Sequence, residues 1–115
     1  MLSVSGCAVH ESKPPEQIVK ARAQERWDAL VKGNVEAAYG YLSPGSKAVR
    51  TAEGYRNEIK VGFWTSATVE QVQCGSEDSC EAQVSIEYKA RGLRVKTPLT
   101  ETWIRQQGNW WYVLK

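Results

Sequence analysis

The hydrophobic repeat of this chain changes once, near Phe63, and that change limits the folds open to it. Before it, apolar residues recur at the three-and-four spacing of a helix that buries one face: Ile18, Val19, Ala23, Trp27, Leu30 and Val31. After it, Ala82, Val84, Ile86 and Tyr88 alternate with Glu81, Gln83, Ser85, Glu87 and Lys89, the pattern of a strand with one wet face. Helices followed by strands, within 115 residues, leave room for one core, with helices laid on a face of an antiparallel sheet.

Local signals place the elements. Pro14 and Pro15 can begin a helix, Glu16 and Gln17 suit its first turn, and Gly33 can stop it in the left-handed conformation. Asn34 caps a second helix, "VEAAYGYL", with Val35, Ala38, Tyr39 and Leu42 on one side. Ser43-Pro44 starts another turn or two, and Thr51 caps a third helix, "AEGYRNEI". A turn at Arg91-Gly92 sets Tyr88 opposite Val95, Val84 opposite Leu99 and Cys80 opposite Trp103 on one face, with Glu87 opposite Lys96 on the other. The same register sets two like charges, Lys89 and Arg94, against each other. A second turn within Gln107-Gly108-Asn109 returns the chain so that Trp110, Tyr112 and Leu114 share the face of Trp103. In "TSATVEQVQC" Val69 and Val72 are out of phase, which a bulge near Glu70-Gln71 reconciles. The expected fold is α+β: three N-terminal helices packed on a curved four-stranded antiparallel meander.

Charge narrows the partners. The 15 basic and 13 acidic residues are scattered in both signs without the basic stripe of a nucleic-acid binder, so no nucleic acid is expected. Five Trp and five Tyr stand against one Phe. Such rings suit a core that opens onto a cleft, and equally a small core filled by large rings.

The segment Val4-Ser5-Gly6-Cys7 resembles the lipobox that ends bacterial lipoprotein signal peptides. Its chemistry is a thiol that accepts diacylglycerol behind residues small enough for a peptidase. "MLSVSG" has no positive n-region and no long apolar stretch, so the sequence is expected to begin inside a longer signal peptide. Residues 1–6 are then its remnant, 7–15 a flexible tether and 16–115 a single domain. Cys7 would carry the lipid, at the periplasmic face of a membrane in the cell envelope. His10, the chain's one His, falls in the tether and is expected to be solvated. Cys74 and Cys80 bracket the polar loop "GSEDS", where a hairpin brings side chains close enough for a disulfide. Two Cys and a distant His do not supply four zinc ligands, and the spacing is too long for a redox pair. No metal or other cofactor is expected, and Cys7 is left as the odd thiol.

The segments "AYGYLSPGSKAVRTAEGYR", "SIEYKARGL", "TPLTETWI" and "GNWWYV" resemble small bacterial envelope lipoproteins of the nuclear-transport-factor-2-like superfamily, the cystatin-like α+β cone. The likeness spans roughly residues 16–115. It implies a sheet wrapped around the helices with a pocket at the mouth of the cone, but no activity, since enzymes, binding proteins and interaction modules share the fold. The superfamily's enzymes, such as ketosteroid isomerase and scytalone dehydratase, use a buried Asp, His or Tyr. Here Glu101 is the one acid that interrupts the inner face, between Leu99 and Trp103. With Trp27, Tyr39, Tyr55, Tyr88 and Trp103 it forms the candidate pocket, in which Glu101 is the candidate base and a tyrosine, Tyr55 foremost, a hydrogen-bond donor to an oxyanion. The competing role for Glu101 is an ion pair with Arg22, Arg26 or Arg56 that positions helix against sheet. Only one ring of Trp110-Trp111 can face the core. If it is Trp110, then Ile104, Trp111 and Val113 form an apolar patch that suits a partner or a homodimer through the sheet. The expectation is a non-enzymatic module that binds a small apolar ligand or an envelope protein. The alternative is an isomerase- or dehydratase-like enzyme.

Overall fold

The computed structural model describes residues 13–114. The signal remnant, Cys7 and His10 lie outside the described residues. The order is α1 (Pro15–Lys32), α2 (Val35–Tyr39), α3 (Pro44–Val49), α4 (Ala52–Glu58), β1 (Trp64–Ser76), β2 (Ser79–Ala90), β3 (Leu93–Gln106) and β4 (Asn109–Val113). Among the described residues there are thus four helices where three were expected. The Ser43-Pro44 start grows into α3, because the Ser43 hydroxyl accepts from the Ser46 N–H at 3.1 Å and caps it. The second helix stops at Tyr39, since Tyr41 to Ser43 leave the helical path to bond β4. Helix α1 starts at Pro15, the last residue assigned to the tether.

Helix α1 carries the core. Val19, Ala23, Trp27 and Leu30 are buried on one face, as their spacing requires. Gly33 ends the helix at φ 85°, and its N–H reaches back to the Ala29 and Leu30 carbonyls. A Cβ there would lie 3.1 Å from Val61 Cγ1, so both the backbone and the space favour glycine.

The sheet runs β1-β2-β3-β4, each pair antiparallel. Tyr88 opposes Val95, Val84 opposes Leu99, Cys80 opposes Trp103, Glu87 opposes Lys96 and Lys89 opposes Arg94. Arg91 and Gly92, and then Gln107 and Gly108, take positive φ, the two-residue turn whose twist matches the strands. The β1–β2 register shifts between Val69 and Gln71, at the expected bulge. One β1–β2 pair, Cys74 and Cys80, is joined by a disulfide.

The inner face of the sheet supplies Val69, Ala82, Val84, Trp103 and Trp110 to the same core. Both outer strands are partly covered by side chains and loops. Gln24 on α1 places its amide against β1, accepting from the Val69 N–H at 2.8 Å and donating to the Ala67 carbonyl at 2.9 Å. On the far side the Ser43 N–H donates to the Tyr112 carbonyl and the Tyr112 N–H to the Tyr41 carbonyl, both at 2.8 Å. Leu42 thereby forms a parallel bridge with Tyr112. Among the described residues no helix is long and apolar enough to cross a membrane.

Candidate functional site

Two places concentrate chemistry, one inside the cone and one on the β4 side. Inside, Glu101 projects from β3 at 2% exposure. Its Oε2 accepts from Arg26 Nη1 at 2.9 Å and Trp27 Nε1 at 2.7 Å, and its Oε1 accepts from Trp103 Nε1 at 3.2 Å. Arg26 Nη2 donates to the Tyr55 hydroxyl at 2.8 Å, and the guanidinium carbon lies 3.8 Å from the centre of the Tyr112 ring. Two helices, α1 and α4, are thus tied to two strands, β3 and β4, through one buried ion pair.

Burial alone would pull the Arg26 pKa down. The Glu101 charge, with Tyr55 and Tyr112, outweighs it and raises the value, so the guanidinium stays charged. The Tyr112 phenol is pushed above its ordinary range, chiefly by burial, although Arg26 opposes the shift. Arg26 Nε is buried with no hydrogen-bond partner.

Four of the six candidate pocket residues, Trp27, Tyr55, Glu101 and Trp103, meet in this cluster and pack its interior. Tyr39 flanks it: its ring lies 5.7 Å from Tyr55 and its hydroxyl donates to the Arg50 carbonyl at 2.6 Å. Tyr88 is elsewhere, stacked on Phe63 at 4.6 Å. Of the three arginines weighed as partners for Glu101, Arg26 makes the pair. Arg56 pairs with Glu36 on the surface, and Arg22 turns toward β4. Tyr112 was absent from the sequence-derived pocket, and Arg26 entered the sequence reading only as one of three arginines that could pair with Glu101. The signal for Arg26 was present, since it falls between Ala23 and Leu30 on the stripe that α1 buries.

On the β4 side, Trp110 enters the core and Trp111 takes the outer face, paired directly with Ile104. Val113, two residues on, shares that face; all three are half-buried. Trp111 borders a groove of about 350 Å³ lined by Arg22, Ala37, Gly40, Tyr41 and Asn109. Arg22 is fixed there by donating from Nε to the Trp110 carbonyl at 2.7 Å. Its guanidinium carbon lies 4.8 Å from the Tyr41 ring centre and 5.4 Å from that of Trp111. Burial lowers the Arg22 pKa, against the pull of Tyr41 and Glu25. Lys47 Nζ adds a second cation 5.3 Å from the Trp111 ring. Among the described residues, no group of three or more His, Cys, Asp or Glu is placed to hold a metal ion.

No protein-family model and no curated protein matches this chain. Solved structures do. A SEC-C-motif-containing protein from Psychrobacter arcticus superposes with a TM-score of 0.72 at 12% identity, over 90% of this chain and 62% of its own. A candidate nuclear-transport-factor-2-like transpeptidase from Campylobacter jejuni gives 0.63 at 12% identity, over 84% of this chain and 98% of its own. A nuclear-transport-factor-2-like protein involved in plasmid conjugation gives 0.52 at 10% identity, over 97% and 47%. The chain therefore spans less than two thirds of the first and third of these proteins. At such identities the likeness is one of fold: an α+β, nuclear-transport-factor-2-like architecture.

Proposed function

We propose that this chain is a lipid-anchored domain of the bacterial cell envelope that works as a binding or interaction module rather than an enzyme. Acyl chains on Cys7 hold it at the periplasmic face, and its partner is an envelope protein taken on the β4 side. The observation that carries the non-enzymatic half is the state of Glu101. Both of its oxygens are engaged by donors from Arg26, Trp27 and Trp103, in a setting 2% exposed. A general base needs an oxygen within reach of a substrate proton. Three of the rings expected to line a cone pocket, Trp27, Tyr55 and Trp103, are instead buried around Glu101, which favours a surface partner over a small apolar ligand inside. The β4 face offers Ile104, Trp111 and Val113 beside two cations, the mixture of aromatic and basic groups that interface centres favour.

The test is the intact mass of the protein extracted from membranes, after expression of its gene with the native upstream region in a bacterial host. The expected product begins at Cys7, carries acyl chains and lacks two hydrogens for the Cys74–Cys80 bond; Cys7→Ser abolishes the acylation. A soluble product with an unmodified Cys7 contradicts the anchor. For the interaction surface, Trp111→Ala should leave the fold intact and remove either partner binding or self-association in sedimentation. An unchanged assembly state and unchanged partner binding contradict it.

A further inference from the structure

The tip of the β2–β3 hairpin has two dissimilar faces. Tyr88, Ala90, Leu93 and Val95 share the inner face through the pairs Tyr88–Val95 and Ala90–Leu93. Leu93 is 70% exposed, and Phe63, stacked on Tyr88, is 39% exposed. Val61, in the same entry loop as Phe63, is 56% exposed. The other face carries Lys89, Arg94 and Lys96, and the turn adds Arg91. Residues 89–96 hold four cations and no acid. Lys60 Nζ sits 5.9 Å from the Phe63 ring, a fifth cation beside the apolar side. Among the described residues, Glu87 is the one acid in an ion pair with these cations, 3.8 Å from Arg94.

This arrangement is unfavourable for an isolated domain. Lys89 and Arg94 oppose each other directly, and like charges across a strand pair repel. On the apolar face Ala90, Leu93 and Phe63 are left exposed to water, with Tyr88 and Val95 half-buried. Both costs vanish at a surface that is anionic above and apolar below. We propose that the β2–β3 tip docks onto an anionic lipid bilayer. Leu93, Val95 and Phe63 enter the boundary between headgroups and acyl chains, and Lys89, Arg91, Arg94 and Lys96 extend along it to lipid phosphates. A bilayer fits better than an acidic protein, because beyond the first β1 pair, Trp64–Tyr88, the tip is only the two strands and turn of residues 89–94, and a stable protein interface needs roughly 800 Å² per partner. The tip lies at the end of the sheet beside the last turn of α1, where Asp28, Val31 and Lys32 face Thr65 and Ser66. The start of α1 lies at the other end, beside Glu77 and Gly108. The tip is therefore a membrane contact separate from anything attached before Pro15.

The test uses the full chain as Cys7→Ser, so that no acyl chain contributes, in co-sedimentation with two kinds of vesicle. Vesicles of phosphatidylglycerol and phosphatidylethanolamine should retain the protein, pure phosphatidylcholine vesicles should not, and added salt should weaken retention. Each cation removed among Lys89→Gln, Arg91→Gln, Arg94→Gln and Lys96→Gln should weaken binding by about fivefold. Leu93→Ser, on the opposite face, should weaken it without changing the net charge. All five positions are exposed, and circular dichroism checks that each variant folds. No retention on phosphatidylglycerol vesicles overturns the proposal, as does a four-fold Gln variant that binds like the parent. Capture of an acidic protein by the tip without vesicle binding also overturns it. The Cys7 reading survives any of these results, since the tested protein carries no lipid.

Discussion

An arginine on the apolar face of a helix is tolerable only if its charge finds a partner, because an unpaired buried charge costs several kcal/mol. Arg26 finds Glu101, Tyr55 and the face of Tyr112, and Glu101 in turn satisfies two indole N–H groups. The phenol of Tyr112 is held neutral within this cluster, its pKa raised chiefly by burial. A raised pKa in the folded state gives stability that is complete below the unfolded value near 10 and is lost as pH climbs through the folded one. Melting temperature should therefore fall as pH rises beyond about 10, and Tyr112→Phe should fall less steeply over the same range. An identical slope in the two proteins would show that Tyr112 does not titrate across unfolding. Glu36 works in the opposite sense: Arg56 lowers its pKa, so its contribution is lost on the acid side. It is fully exposed and matters little.

At the scale of elements, the long strand β1 is held from the helix side by Gln24, whose amide imitates a neighbouring strand. Gln24→Ala removes two hydrogen bonds to the backbone and should cost about 1–3 kcal/mol. Hydrogen exchange at the Val69 amide should quicken while that at Val84 does not; equal protection in the variant would contradict the account. The disulfide closes a loop of about seven residues, so Cys74→Ser with Cys80→Ser should cost roughly 2 kcal/mol in chemical denaturation. No loss of stability would place its role elsewhere. The β2–β3 register was legible because period-two patterning and a Gly-containing turn both fix it, and the phase conflict of Val69 and Val72 located the bulge. The extra helix was not read as one, although Ser43-Pro44 announces its start, because α3 has six residues and no apolar stripe of its own. Four of the six residues of the interior cluster, Trp27, Tyr55, Glu101 and Trp103, were legible as inward-facing pocket residues. Glu101 stands out as polar on an apolar face and Arg26 is one of three arginines that could pair with it, but which of the three does so is decided by the tertiary packing of α1 on β3. Gln24 gave no signal at all, since its partners are backbone groups 43 and 45 residues away.

Across the whole molecule, the helix layer and the sheet are joined at the centre by the Arg26–Glu101 pair and along the sides by Gln24 and the Tyr41–Ser43 segment. The interior of the cone is taken up by that joint. The recognition proposed here therefore falls to the outside, at the Trp111 groove on one side and the basic, apolar hairpin tip at one end. The central claim is that Glu101 braces the fold and does no proton chemistry. The most direct test is a double-mutant cycle in unfolding free energy on Arg26→Met and Glu101→Gln. Each single variant should lose about 3–5 kcal/mol, because each strands a buried partner, and the double should lose clearly less than their sum. A Glu101→Gln protein as stable as the parent, with losses that simply add, would contradict the brace and return Glu101 to candidacy as a catalytic base.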